Sequence, residues 1–151
     1  AGVRLVTVDL RWWDTHVKGY ETMRDGFLPR WDQAYTALLT DLEQRGLLDD
    51  TLVLMMGEFG RSPVMTKTAG RGHWARVMSM LMAGGGLNHG GVIGSTDRKG
   101  YDIASRRVGP SDLAAPVFQH LGIDLDTHWT NRQGRPIPIV TEGAQPISEL
   151  F

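Results

Sequence analysis

A continuous apolar run near the start of the chain sets the first constraint on the fold. Val3 to Leu10, VRLVTVDL, is rich in β-branched residues, as is typical of a strand that is covered on both faces. Residues from about Pro29 to Arg45 then place apolar side chains at the spacing of an amphipathic helix, with Gly46 as its stop. A second apolar run, DDTLVLMMG, begins at Asp49. This order of strand, helix and strand predicts a βαβ unit with parallel strands and a right-handed crossover.

Further apolar segments extend the same alternation of strands and helices. Val77 to Ala83 is a third strand candidate, GGGLNHGG leads into a short strand near Val92-Ile93, and a helix is expected from about Ser111 to Leu121. The tail from Asp124 onward contains several prolines and should wrap the surface with little regular structure. The sequence therefore predicts an α/β fold with a mostly parallel sheet flanked by helices.

Composition limits the classes of function and the kinds of metal site. The chain has 151 residues, a net charge of -1 and no cysteine. This length suits one domain, and the lack of a basic stripe argues against nucleic acid as a partner. No apolar run is long enough for a membrane span, and no signal-peptide pattern opens the chain. Without cysteine, a transition metal has to be held by His, Asp or Glu.

The motif WWDTH, residues 12–16, places an acid and an imidazole directly after the first predicted strand. In extended chain, Asp14 and His16 would point to the same side with Cα atoms about 6.5 to 7 Å apart, so both would reach one ion. His73, in the GRGHW loop before the third predicted strand, completes a nitrogen and oxygen donor set suited to zinc or manganese. The alternative is that these residues are a turn acid and surface imidazoles.

Glu58, Arg61 and Arg71 are candidates for the chemistry around such a metal. Glu58 opens the tight turn after the second predicted strand, where it is a metal ligand or base, or else a residue that caps the following segment or pairs with Arg61. Arg61 and Arg71 carry planar guanidinium groups that match phosphate or sulfate oxygens, and the alternative for both is an internal ion pair with Asp14 or Glu58. A metal at this place would activate a water or polarise an ester oxygen.

Several motifs, in this order, resemble one bacterial family: WWDTH, LLTDLEQRGLLDDTLVLMMGEFGRSP, GRGHW, MAGGGLNHGGVIGSTD and HLGID. The family is the sulfatase-like group known as domain of unknown function 1501, in the alkaline phosphatase superfamily. The resemblance implies that residues 1–151 are the C-terminal part of one α/β sulfatase-like domain. It also implies an exported or periplasmic parent protein, with the missing N-terminal part of the same domain as a partner.

The chemistry implied by this resemblance is hydrolysis of phosphate or sulfate esters with one or two divalent metals. Asp14 and His16 resemble the first metal pair, Glu58 stands where a second-metal carboxylate would be, and His73 resembles the late metal histidine. Zinc is the favoured metal, with manganese or calcium as alternatives. The expected substrate is an anionic small molecule or a glycan ester.

Three departures from the superfamily pattern motivate a second hypothesis. Phe59 stands where related hydrolases often carry a histidine, and Gly72 stands where the motif commonly has an acid. The strand that supplies the nucleophile in the superfamily has no match in this chain. The second hypothesis is a non-catalytic domain that binds a metal and an anionic or glycan ligand.

Overall fold

The computed structural model describes residues 2–141, 143–144 and 146–151. Its longest helical segment combines the short α-helix α1 (Gly19–Glu21), a π-helical stretch (Thr22–Phe27) and the α-helix α2 (Leu28–Gln44). A third α-helix, α3 (Pro110–His120), and a 3-10 turn (Ser148–Leu150) follow later in the chain. None of the helices among the described residues is long and apolar enough to cross a membrane.

The strands of the described residues form four separate pairs, each antiparallel. The pairs, in chain order of their first strands, are β1 (Val53–Met55) with β4 (Leu81–Ala83), β2 (Gly60–Met65) with β3 (Arg71–Trp74), β5 (Ser95–Thr96) with β6 (Ile103–Ser105), and β7 (His128–Thr130) with β8 (Pro136–Pro138).

The expectation of a mostly parallel sheet flanked by helices is wrong. The first apolar run, Val3 to Leu10, forms no strand, and its large apolar side chains stay exposed, from 51% at Leu10 to 84% at Val8. α2 buries none of its residues. A parallel sheet needs helices on both faces, and here the first run and the helix after it do not cover each other. The second and third apolar runs contribute β1 and β4, which pair with each other as short antiparallel strands.

Both long helices were predicted near their observed positions. α2 spans Leu28–Gln44 against the expected 29–45, and its Trp31 and Tyr35 rings stack at 5.2 Å, as residues four apart on one helix face can. α3 begins at Pro110 and not at Ser111, because the Gly109 N–H donates to the Asp112 carboxylate at 2.8 Å and caps the first turn. Local spacing and capping suffice to specify these two elements.

Two smaller expectations fail. The strand near Val92-Ile93 is absent, and the chain first enters a strand at Ser95. The tail after Asp124 is more regular than expected, because β7 and β8 pair over three residues each. The β8 strand begins and ends with proline, which is compatible with a two-stranded pair because one edge of each strand needs no partner.

A small hydrophobic core packs residues near the C-terminal end against residues from the middle of the chain. The side chains of Leu87, Ile147 and Leu150 are buried against one another. Partly buried apolar residues from several elements pack around them: Leu52, Met82, Ile93 and Val108. The candidate site lies apart from this core, where the β2–β3 hairpin meets the segment that precedes α1.

Candidate metal centre

The β2–β3 hairpin provides the rigid side of the candidate site. Arg61 on β2 stands directly opposite His73 on β3 in the antiparallel register, so the two side chains leave the hairpin beside each other. Gly60, the residue before, passes so close to the following loop that a Cβ there would lie 1.9 Å from the Val77 carbonyl oxygen. Only glycine permits that approach.

Backbone hydrogen bonds hold the segment before α1 against the loop between β2 and β3. The N–H groups of Lys18 and Gly19 donate to the carbonyls of Thr68 and Ala69 at 2.9 and 2.8 Å, and the Arg71 N–H donates to the Thr15 carbonyl at 3.0 Å. The Thr68 hydroxyl adds a bond to the His16 carbonyl at 2.9 Å. These contacts join residues about fifty positions apart and carry His16 to the hairpin.

Gly70 is the closest point of this contact. A Cβ on Gly70 would lie 2.0 Å from both the carbonyl carbon and the carbonyl oxygen of His16, and 2.5 Å from the Val17 nitrogen. The loop can therefore dock only because this residue has no side chain. Gly72, on the other side of Arg71, has no atom within 4 Å of an added Cβ, so only one of the two glycines is required by packing.

Asp14, His16 and His73 converge at this junction. The Asp14 Oδ1 atom lies 2.8 Å from His16 Nδ1 and 3.2 Å from His73 Nε2. The three candidate donor atoms all lie within 4.8 Å of one another. The side chains are partly exposed, at 61%, 44% and 52% respectively, so the group is open to solvent and to small molecules.

The expectation that Asp14 and His16 come together through extended chain is wrong. The His16 N–H donates to the Asp14 carbonyl at 3.1 Å, which closes a three-residue turn. The turn brings the imidazole back over its own neighbour, and both side chains then face His73.

Arg61 is bound to the acid of this group. Its Nη1 atom donates to Asp14 Oδ1 at 2.6 Å and its Nη2 atom donates to the Trp13 carbonyl at 3.4 Å. The hydrogen bond from Arg61 is the largest cause that lowers the pKa of Asp14, followed among the lowering causes by that from His73. The carboxylate is therefore ionised at neutral pH. Of the two roles considered for Arg61, the ion pair with Asp14 is the one present in this structure.

Arg71 and Glu58 stand outside the group. Arg71 donates from Nη1 to the Ser62 carbonyl at 2.6 Å and from Nη2 to the Tyr20 hydroxyl at 2.9 Å, so it connects β3 to β2 and to α1. Glu58 is exposed and is not among the residues whose donor atoms cluster. The structure thus brings together three of the four candidate ligands and one of the two arginines.

Phe59 has a packing role that the sequence did not indicate. Its ring lies 4.4 Å from the His73 ring, and the Arg61 guanidinium lies 5.8 Å from the Phe59 ring centre. The His16 and His73 rings are 4.8 Å apart. The His73 ring therefore contacts both the Phe59 ring and a second imidazole.

No curated protein and no solved structure matches this chain. A family model described as "Protein of unknown function (DUF1501)" matches residues 1–151. Because this match covers the whole length of the chain, the protein belongs to the DUF1501 family.

Proposed function

We propose that Asp14, His16 and His73 hold one divalent metal, with zinc favoured over manganese or calcium, and that the centre hydrolyses phosphate or sulfate esters. One observation carries the metal site: three donor atoms, from segments about sixty residues apart, lie within 4.8 Å of one another. Two imidazole nitrogens and one carboxylate oxygen are a donor set that zinc uses in catalytic sites.

The spacing of the donors is compatible with such an ion. Neighbouring ligands of tetrahedral zinc are separated by about 3.3 Å, given bond lengths near 2.0 Å. The Asp14 oxygen is 2.8 and 3.2 Å from the two imidazole nitrogens, and all three donor atoms lie within 4.8 Å of one another, so side-chain rotations that bring the two imidazoles closer together would accommodate a metal. Three protein ligands would leave a fourth position open, as catalytic zinc sites require.

The arginine contact prepares the acid for this role. A ligand carboxylate has to be deprotonated, and Arg61 lowers the pKa of Asp14 by its hydrogen bond. Arg61 also places a positive charge beside Asp14, where it would attract an anionic ester. When bound, the metal would polarise the ester oxygen and lower the pKa of a water. Arg71, engaged by Ser62 and Tyr20, would keep β3 in place, and Glu58 is left out of the proposed ligand set.

The choice of reaction rests on the order of motifs that resemble the sulfatase-like, alkaline phosphatase superfamily proteins. On the same basis we propose an exported, periplasmic protein in which another part of the domain supplies the nucleophile. A second candidate function is a non-catalytic domain that binds a metal and an anionic or glycan ligand. Two contacts favour it: Arg61 is held by Asp14 at 2.6 Å, and Phe59 packs on His73 at the place of a further possible ligand.

Metal titration of matched variants tests the proposal. Zinc binding is measured by calorimetry, and metal content by elemental analysis, in the wild type and in His16→Ala, His73→Ala and His128→Ala. His128 is an exposed histidine outside the cluster, and the one hydrogen-bond partner of its imidazole among the described residues is the Asp126 carbonyl, so it serves as the control. We expect at least tenfold weaker zinc binding in the first two variants and no change in the third. Equal zinc binding in all four proteins would refute the metal centre.

Hydrolysis assays then separate the two candidate functions. Because the nucleophile is proposed to come from another part of the domain, aryl phosphate and aryl sulfate are offered to the zinc-loaded complete parent protein, with and without the two ligand substitutions. Turnover that is lost in His16→Ala and His73→Ala supports the hydrolase. Zinc binding without turnover by the complete parent protein supports the binding domain and refutes the hydrolase.

A further inference from the structure

A polar cleft that includes none of the candidate metal ligands lies between the segment after β3 and the strand β6. It has a volume of about 610 Å³, and its walls are formed by residues 75–76 and 102–107. Three arginines line it, Arg76, Arg106 and Arg107, against a single acid, Asp102. This is a local excess of positive charge on a chain whose net charge is -1.

Two of the three guanidinium groups are matched by acids. Arg76 Nη2 donates to Asp102 Oδ2 at 2.5 Å through one of its nitrogens. Arg106 forms a fork on Glu149, with Nε and Nη2 at 2.6 and 2.9 Å from the two carboxylate oxygens. The Arg107 side chain makes no contact of this kind with any described residue. One guanidinium charge of the cleft is therefore uncompensated, and Arg76 keeps most of its donors unused.

The backbone bends at Arg106, directly after the last residue of β6. Arg106 has a φ of 41°, in the left-handed region that a non-glycine residue rarely adopts. Gly94 makes room for this bend, since a Cβ there would lie 2.8 Å from the Arg106 carbonyl oxygen. Conformations of this kind persist where the surrounding contacts fix them, and here the Glu149 fork does so.

We propose that this cleft binds a tetrahedral oxyanion, sulfate or phosphate, with Arg107 and Arg76 as its direct contacts and Arg106 as a positioning residue. Guanidinium groups bind such oxyanions through paired N–H donors. The cleft is open to solvent and its volume exceeds what a free ion fills, so it also has room for a larger molecule that carries the oxyanion as an ester. The proposal does not depend on a metal at Asp14, His16 and His73.

Calorimetric titration at low ionic strength tests this site. The probes are inorganic sulfate, inorganic phosphate, a sulfated disaccharide and the same disaccharide without sulfate. The variants are Arg107→Gln and, as control, Arg98→Gln, which removes an exposed arginine from the turn between β5 and β6 without touching the cleft lining. Circular dichroism verifies that both variants remain folded.

We expect Arg107→Gln to weaken oxyanion binding about tenfold, since one charge-assisted hydrogen bond contributes on that scale, and Arg98→Gln to leave it unchanged. If the sulfated disaccharide binds more tightly than inorganic sulfate, the ligand of the cleft is the oxyanion group of an ester. If the two bind equally tightly, the ligand is the free oxyanion. The proposal is overturned if no probe binds, if the unsulfated disaccharide binds equally well, or if the two variants lose the same affinity. The metal titration uses other residues, so failure of one site leaves the other untouched.

Discussion

Replacing Gly70 with alanine should detach the segment before α1 from the β2–β3 hairpin. The added Cβ would lie 2.0 Å from the His16 carbonyl and 2.5 Å from the Val17 nitrogen, both backbone groups that no rotamer change can move. The two segments must therefore separate by more than an ångström to restore ordinary contact distances. Gly72→Ala is the matched control, because Gly72 lies two residues further along the chain, on β3, and an added Cβ there meets nothing within 4 Å.

The size of the effect follows from the bonds that span the contact. Separation breaks the three backbone hydrogen bonds from Lys18, Gly19 and Arg71, at 2.9, 2.8 and 3.0 Å. At about 1 kcal/mol each, their loss weakens docking by about 3 kcal/mol. Because His16 is carried by the detached segment, zinc affinity should fall by up to about a hundredfold.

Urea denaturation and zinc calorimetry measure the two consequences in Gly70→Ala, Gly72→Ala and the wild type. We expect Gly70→Ala to lose both stability and zinc affinity, and Gly72→Ala to remain within about 1 kcal/mol of the wild type. If Gly70→Ala has the same free energy of unfolding and the same zinc affinity as Gly72→Ala, the close approach of His16 to the hairpin is not a feature of the folded protein.

Three further predictions concern single side chains. Arg61→Ala should raise the pKa of Asp14, because the Arg61 hydrogen bond is its main lowering cause; NMR titration of the carboxyl carbon measures this, and an unchanged pKa contradicts the ion pair. The hydrogen bond from Arg106 is the main cause that lowers the pKa of Glu149 from 4.5 to about 2, so the ionised Glu149 stabilises the fold above pH 4.5 and loses that contribution as pH falls toward 2. Glu149→Gln should therefore flatten the pH dependence of the free energy of unfolding between pH 4.5 and 2. An unaltered pH profile in the variant would argue against the ion pair. Leu150→Ala, which empties part of the buried cluster, should cost about 2 kcal/mol in urea denaturation, and a cost near zero would show that the cluster is not a core.

The positions of the helices could be predicted from the sequence because the residues that specify them lie within each helix or next to its ends. The apolar spacing between Pro29 and Arg45 and the stop at Gly46 lie within one segment, and α2 ends where those signals place it. The pairing of the strands could not be predicted in the same way. An apolar run indicates extended chain and burial, but its direction relative to a partner depends on which faces are covered. β1 and β4 therefore came out antiparallel where a parallel sheet was expected.

In the candidate site, too, one part could be predicted from the sequence and another could not. Asp14 and His16 are two residues apart, so chain connectivity alone keeps them close. The proximity of His73 depends on docking of the loop at Gly70 against His16, a contact between distant backbones that no periodicity encodes. Glu58 follows the second predicted strand, but that strand pairs antiparallel with β4, and Glu58 is not among the residues whose donor atoms cluster. Whether the three remaining residues bind a metal is still a prediction.

Anomalous diffraction at the zinc absorption edge, from crystals grown with zinc, tests the metal centre most directly. We predict one strong peak at about 2.0 to 2.1 Å from the Asp14 carboxylate, His16 Nδ1 and His73 Nε2, with Arg61 beside it. A zinc ion bound elsewhere, or the absence of any peak between these three side chains in zinc-saturated protein, would contradict the proposal.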